Sequence, residues 1–315
     1  MDEQYQKLKE FGDVKINESL TKHTTFKIGG PARLFVNVTK TDKLVGLFNY
    51  LSAEGLEYFV VAGGSNLLMS DEGFDGVVVK ISTNIAPKIT PSGNGMLIEA
   101  EAGVKLSAVV NLASQNSLTG FDWAIGIPGT FGGAIRGNAG AMGKEIKNNL
   151  TWAEVWRDGE VIRLKAEECG FSYRNSDFKH NKDIILRGEI YLEPGDKAEI
   201  MERMQGYLKQ RKHTPYPSAG SFFKNIKLHQ WVQDTKDLPE LFLKRGTVPV
   251  GWITEQLGLR GLAVGGAKIS DEHGNYLINF DHATQADVLG LVEQIKQKVY
   301  DRYGVELEPE VQIVK

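Results

Sequence analysis

Short runs of β-branched and aromatic residues recur through the first two thirds of the chain, and they predict strands. Gly, Pro, Asn and Asp separate the runs, as expected of turns and loops. Asp158-Gly159 lies between two of the runs and is typical of a two-residue hairpin turn. The predicted strands are Leu34–Val38, Tyr58–Ala62, Val77–Ile81, Met96–Ala100, Trp152–Trp156, Val161–Leu164 and Ile184–Leu192.

Apolar residues at helical spacing predict helices between these strands. Thr41 precedes one such pattern, which runs from Leu44 to Leu51, and we expect its hydroxyl to cap the helix. Residues 105–116 and 196–212 have the same periodicity. This mixture of helices and strands indicates the α+β or α/β class.

The last third of the chain has the pattern of a separate α/β unit. Thr284 is a candidate N-cap with Asp287 three positions later, an arrangement close to a capping box. An apolar stripe follows, and Gly304 supplies a stop. In HTPYPSAG, residues 213–220, two prolines and several small residues interrupt regular structure, so we expect a domain boundary there. The apolar stripe comprises Val288, Leu291, Val292, Ile295 and Val299.

Composition and charge narrow the class of protein. The 315 residues are enough for two or three domains, and 41% of them are hydrophobic. A net charge of −3 gives no basic field that would attract nucleic acid. The N-terminus lacks the apolar core of a secretory signal, and no apolar run is long enough to span a membrane. Cys169 is the only cysteine and the six histidines show no paired ligand spacing, so we expect a soluble cytosolic protein without a disulfide or metal site.

The first of two glycine-rich segments, Val61–Leu68, leaves a predicted strand through Gly63-Gly64-Ser65-Asn66. Glycine accepts positive φ angles, so successive backbone N–H groups can converge on an anion. The segment matches neither a Walker A loop nor the G-x-G-x-x-G fingerprint. A second strand, Val77–Ile81, is the next apolar run, which argues against a Rossmann unit.

The second segment, Gly126–Gly143, contains seven glycines. Such density costs conformational entropy on folding and is typical of close approach, either of backbone to backbone or of backbone to ligand. A tight loop with a purely architectural role would also explain it. Two long segments of this kind, neither with the character of a linker, favour a ligand that carries phosphate groups.

The glycine segments belong to a larger set of motifs that follow one another in a fixed order. The motifs are HTTFKIGGPA (residues 23–32), VAGGSNLL (61–68), GIPGTFGGAIRGNAGAMG (126–143), FSYRNSDFK (171–179), SAGSFFKN (218–225), GGAKIS (265–270) and LEPEV (307–311). Through them the chain resembles the UDP-N-acetylenolpyruvylglucosamine reductase family from about Asn17 to the C-terminus. It is similar to the shorter type, which lacks an insertion with a lidding tyrosine.

The resemblance implies a fold. It consists of a two-part FAD-binding region of the vanillyl-alcohol-oxidase-like type, followed by a smaller C-terminal α/β substrate-binding domain. We expect residues 1–82 and 83–212 to form the two FAD-binding subdomains and residues 213–304 to form the substrate-binding domain. Residues 305–315 are expected to form a strand that returns to the active site.

The resemblance also implies an activity. A hydride passes from NADPH to FAD, and then from flavin N5 to the enolpyruvyl double bond of UDP-GlcNAc-enolpyruvate. The product is UDP-N-acetylmuramate, a peptidoglycan precursor. We therefore expect FAD as bound cofactor, NADPH and the sugar nucleotide as partners, and a cytoplasmic monomer with no nucleic acid and no membrane insertion.

Three residues match the family's catalytic positions. Ser221 stands at the position of the proton donor, and because serine is a weak acid its neighbours must assist it. Arg174 matches the clamp of the substrate carboxylate, a role that the forked guanidinium suits. Glu310 matches the acid that works beside it, and we prefer it to Glu308 because the family glutamate directly precedes the valine. Without the resemblance, these three would be a turn serine, a surface cation and a solvent-facing carboxylate.

Cofactor and substrate positions carry over in the same way. We expect Gly63–Leu68 on the FAD diphosphate and Gly126–Gly143 near its ring and ribityl portions. Lys224 and Asn225 match positions that hold the substrate nucleotide or its diphosphate. The cofactor-binding residues are Ala62, Gly63, Gly64, Ser65, Asn66, Leu67, Leu68, Gly126, Ile127, Pro128, Gly129, Thr130, Gly132, Gly133, Ala134, Asn138, Gly140 and Ala141. The substrate-binding residues are Tyr173, Arg211, Lys224, Asn225 and His273.

Two departures from the family's pattern and two rival functions stay open at this point. Arg136-Gly137 stands where many relatives have bulkier uncharged residues, and Ile226 replaces the proline that usually ends the SFFKN motif. One rival is another FAD-linked oxidoreductase, acting on a small alcohol or hydroxy acid, which would need different acid and base groups. The other is a nucleotide-binding protein without catalysis, which the presence of all three catalytic residue types disfavours.

Overall fold

The computed structural model describes residues 2–212 and 214–315, which form two compact units. Unit 1 contains the described residues of Met1–Glu18, Ala32–Gly63 and Asp75–Arg211, and unit 2 contains those of Ser19–Pro31, Gly64–Phe74 and Lys212–Lys315. Each unit is therefore discontinuous in sequence. The expected division at residues 82, 212 and 304 stays a prediction, and His213, where the expected boundary begins, lies outside the described residues.

Two sheets form the frame of unit 1. One has the strand order Asp13–Ser19, Pro31–Val38, Phe74–Ile81 and Tyr58–Val61, and its last two strands are parallel. The other is antiparallel, with the order Glu160–Lys165, Leu150–Arg157, Ile184–Pro194, Gly95–Glu101 and Lys88–Ser92, and Leu118–Thr119 pairs with the end of its central strand. A short antiparallel pair joins Gly140–Ala141 to Lys144–Glu145. The helices of this unit are Asp2–Leu8, Thr41–Ala53, Leu106–Gln115, Phe131–Gly137 and Lys197–Gln210.

Local sequence explains most of these elements. The hairpin at Asp158-Gly159 is confirmed: both residues have positive φ, 48° and 96°, as a type I′ turn requires. Asp196 caps the helix Lys197–Gln210 through a hydrogen bond of 3.0 Å from the backbone N–H of Glu199. The strand Phe74–Ile81 follows the first glycine segment, as predicted, so the connection is not a Rossmann unit.

The expected cap at Thr41 is wrong. The N-cap of the helix Thr41–Ala53 is Lys40, whose side chain makes no capping bond. The Thr41 hydroxyl instead donates to Glu101 Oε1 at 2.7 Å, in a strand of the larger sheet. The hydroxyl therefore bonds a residue sixty positions away, whereas the capping preference of threonine predicts a bond at the end of its own helix.

Unit 2 is built on a four-stranded antiparallel sheet with the order Ser218–Ser221, Tyr276–Asn279, Ala267–Ile269 and Ala263–Val264. Ile226–Lys227 pairs with Thr247–Val248, and Leu67–Leu68 pairs in parallel with Gln312–Ile313. The helices are Glu240–Arg245, Val250–Gln256 and Gln285–Tyr303. Short 3-10 turns complete both units, at Leu20–His23, Asp122–Ala124, Ile146–Asn148, Ala166–Cys169, Asp177–Lys179, Leu228–Gln230 and Thr235–Asp237.

The long helix of unit 2, Gln285–Tyr303, follows the sequence pattern closely. Thr284 and Asp287 form the capping box, and Gly304 ends the helix at φ 67°. Two backbone N–H groups, of Thr284 and Gly266, donate to the Asp287 carboxylate and lower its pKa. All five residues of the predicted apolar stripe are buried, and burial of each contributes about 1.5–3 kcal/mol.

Cys169 ends a 3-10 turn and is fully buried. Its Sγ–H donates to the backbone carbonyl of Lys165 at 3.3 Å. Burial, helped by the nearby carboxylates of Glu168, Asp177 and Asp183, raises the pKa of this thiol to about 12. The thiol is therefore protonated at neutral pH and packs as a small apolar side chain.

Candidate active site

The second glycine segment surrounds the helix Phe131–Gly137 in unit 1. Thr130 caps this helix, since its Oγ1 accepts from the backbone N–H of Gly133 at 3.2 Å. The N–H groups of Phe131 and Gly132 donate to the carbonyls of Val104 and Ala102, at 2.8 and 2.9 Å. These donors hold the helix against its own unit, so the first turn is a packing site as well as a candidate cofactor contact.

Gly132 is required by that packing. A Cβ placed on it would lie 2.5 Å from the Cβ of Ala102, closer than side-chain atoms approach. One part of the glycine density therefore has the architectural role that the sequence left open.

The two glycine segments meet within unit 1. A Cβ on Gly63 would lie 2.6 Å from Gly129 Cα, so the two backbones touch and Gly63 accepts no side chain. Gly126 and Gly129 have φ angles of 73° and 109°, which glycine adopts without strain. In the part of the chain that the structure describes, the backbone N–H groups of Gly63 and Gly129 donate to no protein acceptor. Adjacent backbone donors of this kind fit the diphosphate of a dinucleotide.

Arg211 holds the start of the second segment. Its Nε donates to the carbonyl of Ile125 at 2.7 Å, and its Nη2 donates to the carbonyl of Trp123 at 3.3 Å. A Cβ on Gly126 would lie 2.9 Å from Arg211 Cδ. We predicted this side chain at the substrate, and in the structure it bonds the backbone just before the glycine segment.

The rest of the first glycine segment belongs to unit 2. Gly64 has a φ of 61°, and a Cβ there would lie 1.9 Å from the carbonyl oxygen of His23. The Asn66 side chain donates from Nδ2 to the carbonyl of Glu310 at 3.0 Å, while the Asn66 carbonyl accepts from Gln312 N at 3.0 Å. Asn66, expected at the cofactor, thus also holds the backbone of a predicted catalytic residue.

Arg174 lies at the tip of a tight loop in unit 1, with a φ of 55°. Backbone hydrogen bonds of 3.0 Å in both directions join Ser172 and Asn175 and close the loop. The guanidinium donates from Nη2 to the carbonyl of Gly140 at 2.7 Å, and its centre lies 5.2 Å from the ring of Tyr173. The loop and its anchor at Gly140 hold this side chain in one orientation.

Asn138 ties that loop to the second glycine segment. It is fully buried, with a left-handed φ of 42°, and ends the helix Phe131–Gly137. Its Nδ2 donates to the carbonyl of Ser172 at 2.8 Å and to Glu145 Oε2 at 3.1 Å, and its Oδ1 accepts from Lys147 N at 3.2 Å. The amide is therefore an anchor between predicted cofactor and catalytic segments.

Ser221 and Glu310 come together in unit 2. Ser221 ends a strand and is half-buried, and the next residue, Phe222, is buried. The backbone N–H of Glu310 donates to the carbonyl of Phe222 at 2.7 Å. Ser221 and Glu310 therefore lie on neighbouring segments of the backbone, one residue out of step.

Lys224 is part of the same group. Its backbone N–H donates to the carbonyl of Glu308 at 2.9 Å, and its ammonium group forms an ion pair with the Glu308 carboxylate. Glu308 is largely exposed, with 70% of its side chain accessible, whereas Glu310 is half-buried. The two carboxylates that the sequence offered therefore have different surroundings.

Asn225 and His273 are two further predicted substrate-binding residues in unit 2. Asn225 Oδ1 accepts from the backbone N–H of Val250 at 3.3 Å, at the start of the helix Val250–Gln256. His273 stacks on Tyr276 with ring centroids 4.3 Å apart, and its Nδ1 accepts from the N–H of Asn275 at 3.1 Å. Tyr276 is the register partner of Ser221, which connects His273 to the predicted proton donor.

Asn275 is a further residue of this region that no sequence motif indicates. This side chain is 2% exposed and makes hydrogen bonds with Phe223 on both sides of its amide. The only local signal was its position in the turn DEHGN, which is typical of an exposed loop. Its partners are fifty-two residues away, so no local pattern could have identified them.

Of the two departures noted in the sequence, the structure explains Ile226 and does not explain Arg136-Gly137. Arg136 is half-buried, and burial lowers the pKa of its guanidinium. Its carbonyl accepts from Ser176 Oγ at 2.6 Å. Ile226 pairs with Val248 in a two-stranded ladder and is buried, so an apolar residue with a backbone N–H suits the position.

Neither a metal centre nor a membrane crossing is found in the described residues. Within 2–212 and 214–315, no group of three or more His, Cys, Asp or Glu side chains could hold a metal ion. No helix in these ranges has both the length and the apolar character that a membrane crossing requires.

Comparison with known proteins identifies the family. A profile described as "UDP-N-acetylenolpyruvoylglucosamine reductase, C-terminal domain" matches residues 210–314, and one described as "FAD binding domain" matches residues 32–165. The reductase of Caldanaerobacter subterraneus subsp. tengcongensis is 40% identical over 317 residues, which cover 98% of this chain and 97% of that protein. The chain belongs to the UDP-N-acetylenolpyruvoylglucosamine reductase family.

Two further relatives agree with this membership. The Carboxydothermus hydrogenoformans reductase is 37% identical over 304 residues, or 95% of this chain and 93% of that one. The crystal structure of the Thermus caldophilus reductase has a TM-score of 0.74 and 31% identity, covering 96% of this chain and 98% of that chain. The length of 315 residues is consistent with the shorter type of the family.

Family membership confirms the fold class and the general function. The protein combines an FAD-binding region of the vanillyl-alcohol-oxidase-like type with the family's C-terminal domain, in a mixed α/β structure. It is an FAD-binding reductase of peptidoglycan precursor synthesis. The two rival interpretations are not retained: another FAD-linked oxidoreductase acting on a small alcohol or hydroxy acid, and a nucleotide-binding protein without catalysis.

Proposed function

We propose that this reductase uses NADPH to convert UDP-GlcNAc-enolpyruvate into UDP-N-acetylmuramate in the cytoplasm. Relatives that match nearly the whole chain are named for the reduction of this enolpyruvyl sugar, and the FAD-binding profile supports the cofactor. Bound FAD supplies the hydride that one carbon of the enolpyruvyl double bond takes up. The neighbouring carbon then needs a proton, and the chain must supply it.

We assign the cofactor to the two glycine segments. The observation that supports this most is the contact of Gly63 with Gly129, where two backbone N–H groups remain available to a diphosphate. Gly63 could not be replaced without moving the two segments apart, because a Cβ on it would overlap the backbone of Gly129.

We assign the proton to the hydroxyl of Ser221. Hydride addition leaves negative charge on the carbon next to the substrate carboxylate, and a proton from Ser221 Oγ completes the reduction by forming the new C–H bond. The single observation that carries this role is the hydrogen bond from Glu310 N to the Phe222 carbonyl, which keeps a carboxylate-bearing residue beside the serine. A serine needs such a neighbour, because its hydroxyl is a weak acid.

Arg174 is proposed as the clamp of the substrate carboxylate. A guanidinium presents several donors in a fixed fork and is always charged, so it can stabilise the negative charge that develops on the conjugated carboxylate. Its bond to the Gly140 carbonyl and its loop restrict the orientation of that fork. Tyr173, Lys224, Asn225 and His273 are proposed to bind the remaining parts of the substrate.

The experiment is rapid-mixing spectroscopy of the two half-reactions in Ser221→Ala. We expect flavin reduction by NADPH to be nearly unchanged, and flavin reoxidation by UDP-GlcNAc-enolpyruvate to slow by about 10²–10⁴-fold, the usual contribution of a positioned general acid. The control is Ser107→Ala, at an exposed position on the helix Leu106–Gln115, which should change neither rate. Equal slowing of both half-reactions would refute the role of Ser221, and reduction by NADH as fast as by NADPH would refute the assignment of the reductant.

A further inference from the structure

The strand that carries Ser221 contains one extra residue. Ser218 pairs with Ile278 and Ser221 pairs with Tyr276, so three steps on one strand match two steps on the other. Gly220 lies between them at φ 79°, and the Ser218 hydroxyl accepts from the Gly220 N–H at 3.1 Å. We call Ser218–Ser221 with this irregularity the Gly220 bulge.

The Gly220 bulge decides where Ser221 points. Side chains alternate between the two faces of a sheet, and one inserted residue reverses that alternation for everything that follows. The orientation of the Ser221 hydroxyl therefore depends on the bulge staying in place, and on the residues just after it being unable to slide back into register.

Asn275 holds those residues. Its carbonyl accepts from the N–H of Phe222 at 2.8 Å, its Oδ1 accepts from the N–H of Phe223 at 3.0 Å, and its Nδ2 donates to the carbonyl of Phe223 at 2.8 Å. One buried residue thus satisfies three backbone groups directly after Ser221. A primary amide has both an acceptor and a donor, so Asn275 can accept from the N–H and donate to the C=O of the same residue.

The opposite side of this segment faces Glu310. The carbonyl of Phe222 accepts from Glu310 N at 2.7 Å, and Phe223 forms an isolated bridge with Pro309. Both phenylalanine rings are 1% exposed and stack edge to face, with centroids 5.2 Å apart. The backbone directly after Ser221 is therefore held on one side by Glu310 and on the other side by the Asn275 amide.

We propose that Asn275 is a positioning residue for the reduction: its amide locks the Gly220 bulge and so fixes the direction in which Ser221 offers its proton. The proposal rests on the proposed role of Ser221 as proton donor. Asn275 acts only through Ser221, so it affects the proton-transfer half-reaction and not the reduction of the flavin.

The test is Asn275→Asp, which keeps the size and the acceptor; in its ionised form the new carboxylate has no proton to donate to the Phe223 carbonyl. We expect flavin reoxidation by UDP-GlcNAc-enolpyruvate to slow by about tenfold or more, because small displacements of a reacting group have effects of this size. Flavin reduction by NADPH and the affinity of the oxidised enzyme for the sugar nucleotide should not change. A purely structural loss would lower flavin content and slow both half-reactions together.

The matched control is Asn279→Asp, at the end of the strand Tyr276–Asn279 that directly follows Asn275. Asn279 Nδ2 also donates to a backbone carbonyl, that of Phe26 at 3.2 Å, and its Oδ1 accepts from Ala283 N at 2.8 Å. The same chemical change away from Ser221 should leave both half-reaction rates at the wild-type level. Slowing of reoxidation in Asn279→Asp equal to that in Asn275→Asp would overturn the proposal.

A double-mutant cycle separates this proposal from the proposed function. If Asn275 acts through Ser221, Asn275→Asp adds no further slowing in the Ser221→Ala background. Multiplying effects would overturn the positioning role while leaving Ser221 as the donor. An unchanged reoxidation rate in Ser221→Ala alone would instead reject the proposed function, and the positioning role with it.

Gly220→Ala gives a second route should Asn275→Asp fail to fold. A Cβ at Gly220 would meet no atom within 4 Å, yet φ 79° is unfavourable for alanine, so the substitution works against the bulge without a clash. The proposal requires the same split between slowed reoxidation and normal flavin reduction. Wild-type reoxidation in Gly220→Ala would overturn it.

Discussion

At the scale of single residues, His273 illustrates how burial and one hydrogen bond select a protonation state. Its Nδ1 accepts the backbone N–H of Asn275, so the proton of the neutral ring is on Nε2. Burial lowers the pKa of this imidazole, the positive charges of Arg260 and Lys212 lower it further, and the Glu255 carboxylate opposes them. The side chain therefore offers a neutral N–H donor at physiological pH.

This lowered pKa predicts how stability depends on pH. Below the ordinary histidine pKa of about 6.5, the unfolded chain takes up a proton that folded His273 does not, so the free energy of unfolding falls as the pH falls. His273→Gln removes that difference while keeping an acceptor for the Asn275 N–H. Urea unfolding midpoints between pH 8 and pH 5 measure the effect. The wild-type protein should lose stability faster than the variant below about pH 6.5, and identical slopes would contradict the prediction.

Buried amides show the limits of sequence reasoning at this scale. Asn138 was identified from its place in a glycine segment, but its partners Ser172 and Glu145 come from other segments. Asn275 was not identified at all. Residue types that the family motifs contain could be predicted from the sequence, whereas hydrogen bonds between distant segments depend on the folded chain.

At the scale of elements, the glycine segments predict a pair of contrasting variants. Gly63→Ala places a Cβ 2.6 Å from Gly129 Cα and must separate the two segments. Gly137→Ala, in the second segment, meets nothing within 4 Å at a helical position where alanine is favourable. We expect the first variant to bind FAD at least about tenfold more weakly, since lost backbone contacts to a phosphate cost about 1.4 kcal/mol or more.

The measurement is the amount of flavin that copurifies with each polypeptide, followed by titration of the protein without flavin with FAD. Gly137→Ala should bind FAD as the wild-type protein does. Full flavin content in Gly63→Ala would show that the contact between the two segments is not needed for the cofactor.

Elements with local signals were the most predictable part of the fold. The helix Gln285–Tyr303 combines a capping box, an apolar stripe and a terminal glycine, and the hairpin at Asp158-Gly159 has its own turn signature. The predicted cap at Thr41 was wrong because its hydroxyl donates to Glu101, a distant residue that a rule based on neighbouring positions does not consider. The bulge at Gly220 could not be predicted from the sequence either, because the register of a strand depends on the strand with which it pairs.

At the scale of the whole molecule, unit 2 depends on segments far apart in sequence. Its core includes Phe26, Ile28 and Leu68, which are at most 2% exposed and lie outside the C-terminal segment. Leu67–Leu68 also supplies the partner strand of Gln312–Ile313. No composition-based boundary could have shown this arrangement, because it joins three separate stretches of chain.

We therefore expect residues 212–315 alone not to fold cooperatively. Loss of each large buried side chain costs roughly 2–5 kcal/mol, and three such losses reach the whole stability of a typical domain, about 5–15 kcal/mol. Circular dichroism during heating tests whether the fragment unfolds cooperatively, and amide hydrogen exchange tests whether its amides are protected. The reference is the exchange of the same residues in the full-length chain. A sharp thermal transition in the fragment, with protected amides in Gln285–Tyr303, would show that the other two segments are dispensable.

Cys169 has a practical consequence for solution experiments. It is the only thiol in these 315 residues, and a buried group with a pKa of about 12 hardly forms the thiolate that maleimides and related reagents attack. A cysteine introduced at an exposed position, such as Asp158 in the hairpin turn, would then be the sole site of labelling in the native protein. A fluorescent or spin probe can thus be attached at a chosen point without first removing the natural cysteine.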